Sequence, residues 1–134
     1  MKKLSTIFVL TLVITLIGCS KYEDGPAISL RSKKARLVNK WKLEKIYLDG
    51  KEQLVQGIPP SEADVWVEFK KDDSFENFFG INGKWEFDSS KEHIKLMDDD
   101  SNLIHELRII KLKENELIFD YEFGGLYELH YKTY

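Results

Sequence analysis

Three histidines, one cysteine and an acidic run are the residues of this 134-residue chain whose types could support chemistry. By alternation His93 and His130 face solvent, with His130 two residues from Glu128 on one face, a spacing that suits a weak surface pair. His105 falls in the apolar register and is expected to be a buried, neutral, hydrogen-bonded imidazole. No His-Glu-x-x-His element occurs, so the common helix-borne zinc hydrolase arrangement is absent. Asp98, Asp100 and Asn102 occupy positions 1, 3 and 5 of a calcium loop, but such a loop needs Gly at position 6 and Glu at position 12. The chain offers Leu103 and Ile109 there, so the run reads as an acidic hairpin tip. There is no Gly-x-Ser-x-Gly element and no Gly-rich phosphate loop. The carboxylates fall on the exterior register. No catalytic residue, metal or cofactor is assigned, and the chain reads as a non-enzyme.

The single cysteine offers a different chemistry. Met1-Lys2-Lys3 is a positive n-region, and residues 4–17 are apolar apart from single Ser and Thr residues. That stretch is shorter than the roughly 20 residues a spanning helix needs, and it fits the h-region of a secretory signal. Leu16-Ile17-Gly18-Cys19 follows, and it resembles the bacterial lipobox. The resemblance implies cleavage just before Cys19. The Cys19 thiol then carries a thioether-linked diacylglyceride with acyl chains of the palmitate class, and the small Gly18 lets the peptidase close on the bond. Residues 1–18 are thus expected to be a lipoprotein signal peptide. Several acyl chains give stable attachment where one is marginal, so membrane lipid is an expected partner through Cys19. Ser20 rather than Asp after the cysteine resembles the enterobacterial signal for the outer membrane. Lys21-Tyr22-Glu23-Asp24 resembles the charged tetrads that send Bacteroidota lipoproteins to the cell surface. The orientation, towards the periplasm or the cell surface, stays open.

Charge is distributed unevenly. The formal total of −3 argues against a general nucleic-acid binder. It averages residues 19–42, with seven Lys/Arg against two Asp/Glu, and residues 43–134, with eleven against twenty-one. Gly25-Pro26 breaks structure after the anchor, and Ser29 is expected to cap a short helix reaching about Asn39. Residues 19–39 are read as a lipidated tether and short basic helix. Arg31, Lys33, Lys34 and Arg36 are its candidate contacts for anionic lipid or an acidic partner, within a Debye length of the head groups.

The elements that position everything else follow from Trp41 onward. Period-two alternation punctuated by Gly, Asn, Asp and Ser clusters predicts strands near 40–48, 64–71, 74–80, 83–88, 92–98, 103–112, 116–123 and 126–133. Eight sequential antiparallel strands imply an all-β, up-and-down β-barrel over residues 40–134, because closure removes exposed edges. The expected interior holds Trp41 and Leu43, Val65, Val67 and Phe69, Phe75 and Phe79, Trp85 and Phe87, Ile94 and Leu96. It continues with Leu103, Leu107 and Ile109, then Leu117, Phe119, Tyr121 and Phe123, and finally Tyr127, Leu129 and Tyr131. The register slips at Ile46/Leu48 and at Ile110/Leu112, where bulges or bends are expected.

A helical turn leading into Lys40-Trp41-Lys42, a long first loop and seven short-linked strands resemble a calycin or lipocalin-type barrel. With the segment from Gly25 to Leu37, the whole chain resembles the small lipocalin-like lipoproteins of Bacteroidota. Asn39 stands where the lipocalin pattern has Gly two residues before the Trp, so what transfers is architecture. Two functions are weighed. One is a non-catalytic accessory or interaction module of a cell-envelope complex at the outer membrane, with an envelope protein as partner. The other is a binder of a small hydrophobic or glycan-derived ligand in the barrel mouth, with residues 49–63 as a lid. Candidate ligand-binding residues are Trp41, Phe69, Phe79, Trp85, His105, Phe119, Tyr121 and Tyr131. An eight-stranded barrel is just wide enough to be filled by its own side chains or to hold one small ligand. Seven Phe or Trp residues in or near the inner list of the first five strands, with the interior tyrosines, favour filling.

Overall fold

The computed structural model describes residues 31–53 and 64–134, and within them the alternating segments form nine antiparallel strands and one helix. The helix α1 is Lys33–Leu37. The strands are β1 Lys40–Leu48, β2 Lys51–Gln53, β3 Trp66–Phe69, β4 Ser74–Asn77, β5 Asn82–Phe87, β6 His93–Met97, β7 Leu103–Leu112, β8 Glu116–Glu122 and β9 Leu126–Thr133. Residues 1–30, with Cys19 and the expected signal segment and tether, lie outside the described residues, as do residues 54–63.

Each strand from β3 to β9 pairs with its neighbour in sequence. β1 pairs with β3 on one edge and with β9 on the other, so eight strands close into a barrel. Closure satisfies backbone groups that an open sheet would leave bare. The ninth strand is the short β2, which pairs with the far half of β1 through Leu48↔Lys51. Asp49 and Gly50 link the two with φ values of 49° and 78°. Positive φ at both central residues is what a two-residue type I′ hairpin requires, and Asp-Gly is its sequence signal. Residues 49–63 are expected as loop, and β2 corrects this for Lys51–Gln53.

Both expected register slips are bulges. One lies between Leu43 and Lys45 and returns Ile46 and Leu48 to the inner face; the other lies between Ile109 and Lys111 and returns Leu112. A third, between Leu96 and Met97, was not foreseen. It turns Ile104 towards the core and leaves Leu103 57% exposed.

Among the described residues, α1 plugs one end of the barrel, the floor, and the opposite end is the mouth. The turns β3–β4, β5–β6 and β7–β8 lie at the floor with α1; the turns β1–β2, β4–β5, β6–β7 and β8–β9 lie at the mouth. Ser32 caps α1: it is extended, and its hydroxyl accepts from the Ala35 amide at 3.1 Å, while Ser29 lies outside the described residues. Leu37 is driven into the floor and fully buried, and its carbonyl accepts the Trp41 indole N–H at 2.9 Å. The side chain of Trp41 is thereby both apolar filler and satisfied donor.

Candidate functional site

The lower barrel is solid. Trp41, Phe69, Trp85 and Phe119 are at most 2% exposed, and Phe75, Ile94 and Leu117 fill the gaps between them. Phe69 meets Trp85 edge-on at 5.7 Å and Phe119 at 6.1 Å, and Phe119 meets Tyr131 at 6.1 Å. These T-shaped contacts are the preferred aromatic geometry and leave no ligand-sized space in that layer. Tyr131 is 9% exposed, and burial pushes its hydroxyl well above the ordinary tyrosine range. Five of the eight candidate ligand residues therefore belong to the packed core.

His105 and Tyr121 stand at the mouth. Tyr121 stacks on Tyr127 across the β8–β9 ladder with centroids 5.3 Å apart, and His105 tilts against Tyr121 at 5.7 Å. Tyr121 is half-buried, and burial with the neighbouring Tyr127 raises its pKa. His105 pairs with Leu96 on the inner face yet is exposed, because β7 runs on past the last packed layer. The expectation of a buried imidazole is corrected on that ground. Tyr127, absent from the candidates named from sequence, completes this aromatic cluster; its signal was its position directly opposite Tyr121.

Phe79 is not in the lumen. β4 ends at Asn77, whose Oδ1 accepts from the amides of Phe79 at 3.0 Å and Ile81 at 3.1 Å. That cap folds the chain into a tight turn and leaves Phe79 56% exposed at the rim. Phe123, also expected inside, is 70% exposed in the β8–β9 turn, and Leu103 is the third such correction.

The basic residues of α1 are engaged with the floor. Arg31 pairs with Glu114 at 2.5 Å, and Lys34 with Asp73 at 2.5 Å. The Arg36 guanidinium donates to the Leu112 carbonyl at 3.2 Å, and the Lys33 ammonium sits 5.7 Å from the Phe87 ring centre. Lys34 also lies over Trp85. These contacts fasten the plug to three separate parts of the barrel wall.

The outer wall carries ordered polar groups. Asp120 is 4% exposed and receives a two-nitrogen clasp from Arg108, whose Nε lies 2.9 Å from Oδ1 and whose Nη2 meets Oδ2. The carboxylate in turn raises the Arg108 pKa. A groove of about 450 Å³ runs past this pair, lined also by His93, Glu106 and Glu122. His130 meets Glu128 at 2.5 Å, the surface pair expected from spacing, and stacks at a tilt on Tyr47. Asp98 turns its Oδ1 back onto the amides of Asp100 and Asn102. Hydrogen bonds from Asn102 hold its carboxyl below the usual range. Among the described residues no three His, Cys, Asp or Glu side chains converge as metal ligands.

The fold is a lipocalin-like, closed eight-stranded antiparallel barrel with a short helix. No protein-family model matches the chain, and no curated protein matches it in sequence.

Proposed function

We propose that this chain is a lipid-anchored, non-catalytic accessory module of a cell-envelope complex, held at the outer membrane through acylated Cys19. Its affinity in this reading is with the lipocalin-like lipoproteins of Bacteroidota. The observation that carries the proposal is the filled interior: Trp41, Phe69, Trp85 and Phe119 occupy the volume a carrier would keep for cargo. The anchor precedes Arg31 by twelve positions. At full extension such a stretch reaches about 40 Å, so the floor with α1 is tied close to the bilayer.

The second reading, a small hydrophobic or glycan-derived ligand at the mouth, draws on the stacked Tyr121–Tyr127 pair beside His105. Such a ligand would lie against these rings and not among the buried aromatic residues below them. Variants separate the readings. In a filled barrel, Trp85→Ala and Phe119→Ala lower stability and leave no bound small molecule to lose. In a carrier, they change ligand retention more than folding. The anchor is tested by the intact mass of membrane-extracted protein, which is expected to begin at Cys19 with added acyl chains; an unmodified Cys19 would refute it.

A further inference from the structure

Five large apolar side chains stand uncovered at one end of the barrel. Phe79 and Ile81 lie in the β4–β5 turn, Leu103 opens β7, and Phe123 and Leu126 flank the β8–β9 turn; their exposures run from 43% to 70%. Strand register brings all three segments to the mouth. Tyr134 is the only other exposed large apolar residue among the described ones, and it sits at the floor against Lys40. Single exposed apolar residues are ordinary. A set confined to one end and spread over three loops has the character of an interaction surface. The turns also hold their side chains outward, since the Asn77 cap fixes Phe79 and an edge contact at 5.4 Å braces it against Phe78.

Two of these three loops are acidic, and the β4–β5 turn carries no charged residue. Residues 98–100 are all Asp, Glu122 precedes Phe123, and no Lys or Arg occurs in 77–83, 98–107 or 121–131. Asp99, Asp100 and Glu122 are exposed. An anionic lipid surface is repelled by such a rim, and so is the rim of a second copy. A protein segment that offers apolar side chains between Lys or Arg residues fits both features, with charge steering the encounter and the apolar centre holding it. We propose that the open rim docks a protein partner through such a basic-flanked apolar segment. This rests on the interaction-module reading and adds the place and the chemistry of the contact.

The test uses the full lipidated chain in the cells that make it. A photoreactive benzophenone amino acid replaces Phe79, Leu103 or Phe123 in turn, with Glu86 on the wall and Asn115 at the floor as comparison sites. The expected result is one shared protein adduct at the three rim positions, mapped to an apolar stretch flanked by Lys or Arg. Its yield is expected to fall at least fivefold in the Asp99→Lys/Asp100→Lys background. All five positions are exposed, and an unchanged circular-dichroism spectrum confirms folding. A protein adduct confined to Glu86 or Asn115 overturns the rim assignment and leaves the interaction-module reading standing. Rim adducts with lipid or with a second copy also overturn it. No protein adduct at any of the five positions overturns both.

Discussion

Tyr121 stacks on Tyr127 with ring planes 14° apart at the level where the barrel changes from packed to open. Below the pair, Phe119 is 1% exposed; beyond it, Phe123 is 70% exposed. β8 and the turn that follows it thus pass from core to rim within four residues.

Truncations along β8 and β5 should report that gradient. Phe119→Ala and Trp85→Ala remove fully packed rings and are expected to cost about 3–5 kcal/mol. Phe123→Ala removes an exposed ring and is expected to stay within about 0.5 kcal/mol. Urea denaturation of the three variants checks the order.

Gly83 faces Phe75 across β4–β5, and a Cβ there would overlap the Met97 carbonyl oxygen while pressing on the Phe75 ring at 3.2 Å. The obstacle is backbone, which cannot rotate away. Gly83→Ala is expected to destabilise by about 1–3 kcal/mol or more, against the usual mild effect of Ala in a strand. Its thermal midpoint measures this directly.

Asp120 is buried on the outer wall and clasped by the more exposed Arg108, 55% exposed along its side chain. Arg108→Ala leaves a desolvated carboxylate without its clasp and is expected to cost about 1–3 kcal/mol, the lower end reflecting the solvent that still reaches the guanidinium. Replacing both partners with Leu is expected to recover part of that loss. A double-mutant cycle in urea gives the coupling.

Asp88 accepts from the Ser90 hydroxyl at 2.6 Å and from the amides of His93 and Glu92, which holds its carboxyl far below the ordinary range. A folded-state pKa depressed in this way contributes stability that is full above the unfolded value of about 3.9 and fades as pH falls below it. The wild-type urea midpoint is therefore expected to drop between pH 5 and pH 2, with Asp72 and Asp98 adding in the same direction. Asp88→Asn is expected to start lower at pH 5 and to fall less.

Alternation made the strands legible because the wall has one apolar face and one polar face. β1, β7 and β9 lie at their expected bounds, and the two bulges announced themselves as slips in an otherwise regular register. Height along the barrel axis was not legible. Period two says which face a side chain takes, not whether a further layer covers it, so His105, Leu103 and Phe123 were read as core and stand at the mouth. Phe79 failed for a different reason: the Asn77 cap ends the strand three residues short of the expected 80. The basic helix was visible as charge, but its pairing with Glu114 and Asp73 depends on floor turns more than 35 residues away in sequence.

Native mass spectrometry of the protein, recovered without denaturant from the cells that make it, tests the central claim most directly. A filled barrel that acts by docking predicts a complex with a stoichiometric protein partner and no small-molecule adduct on the liberated chain. A chain recovered alone with a retained small molecule would contradict it.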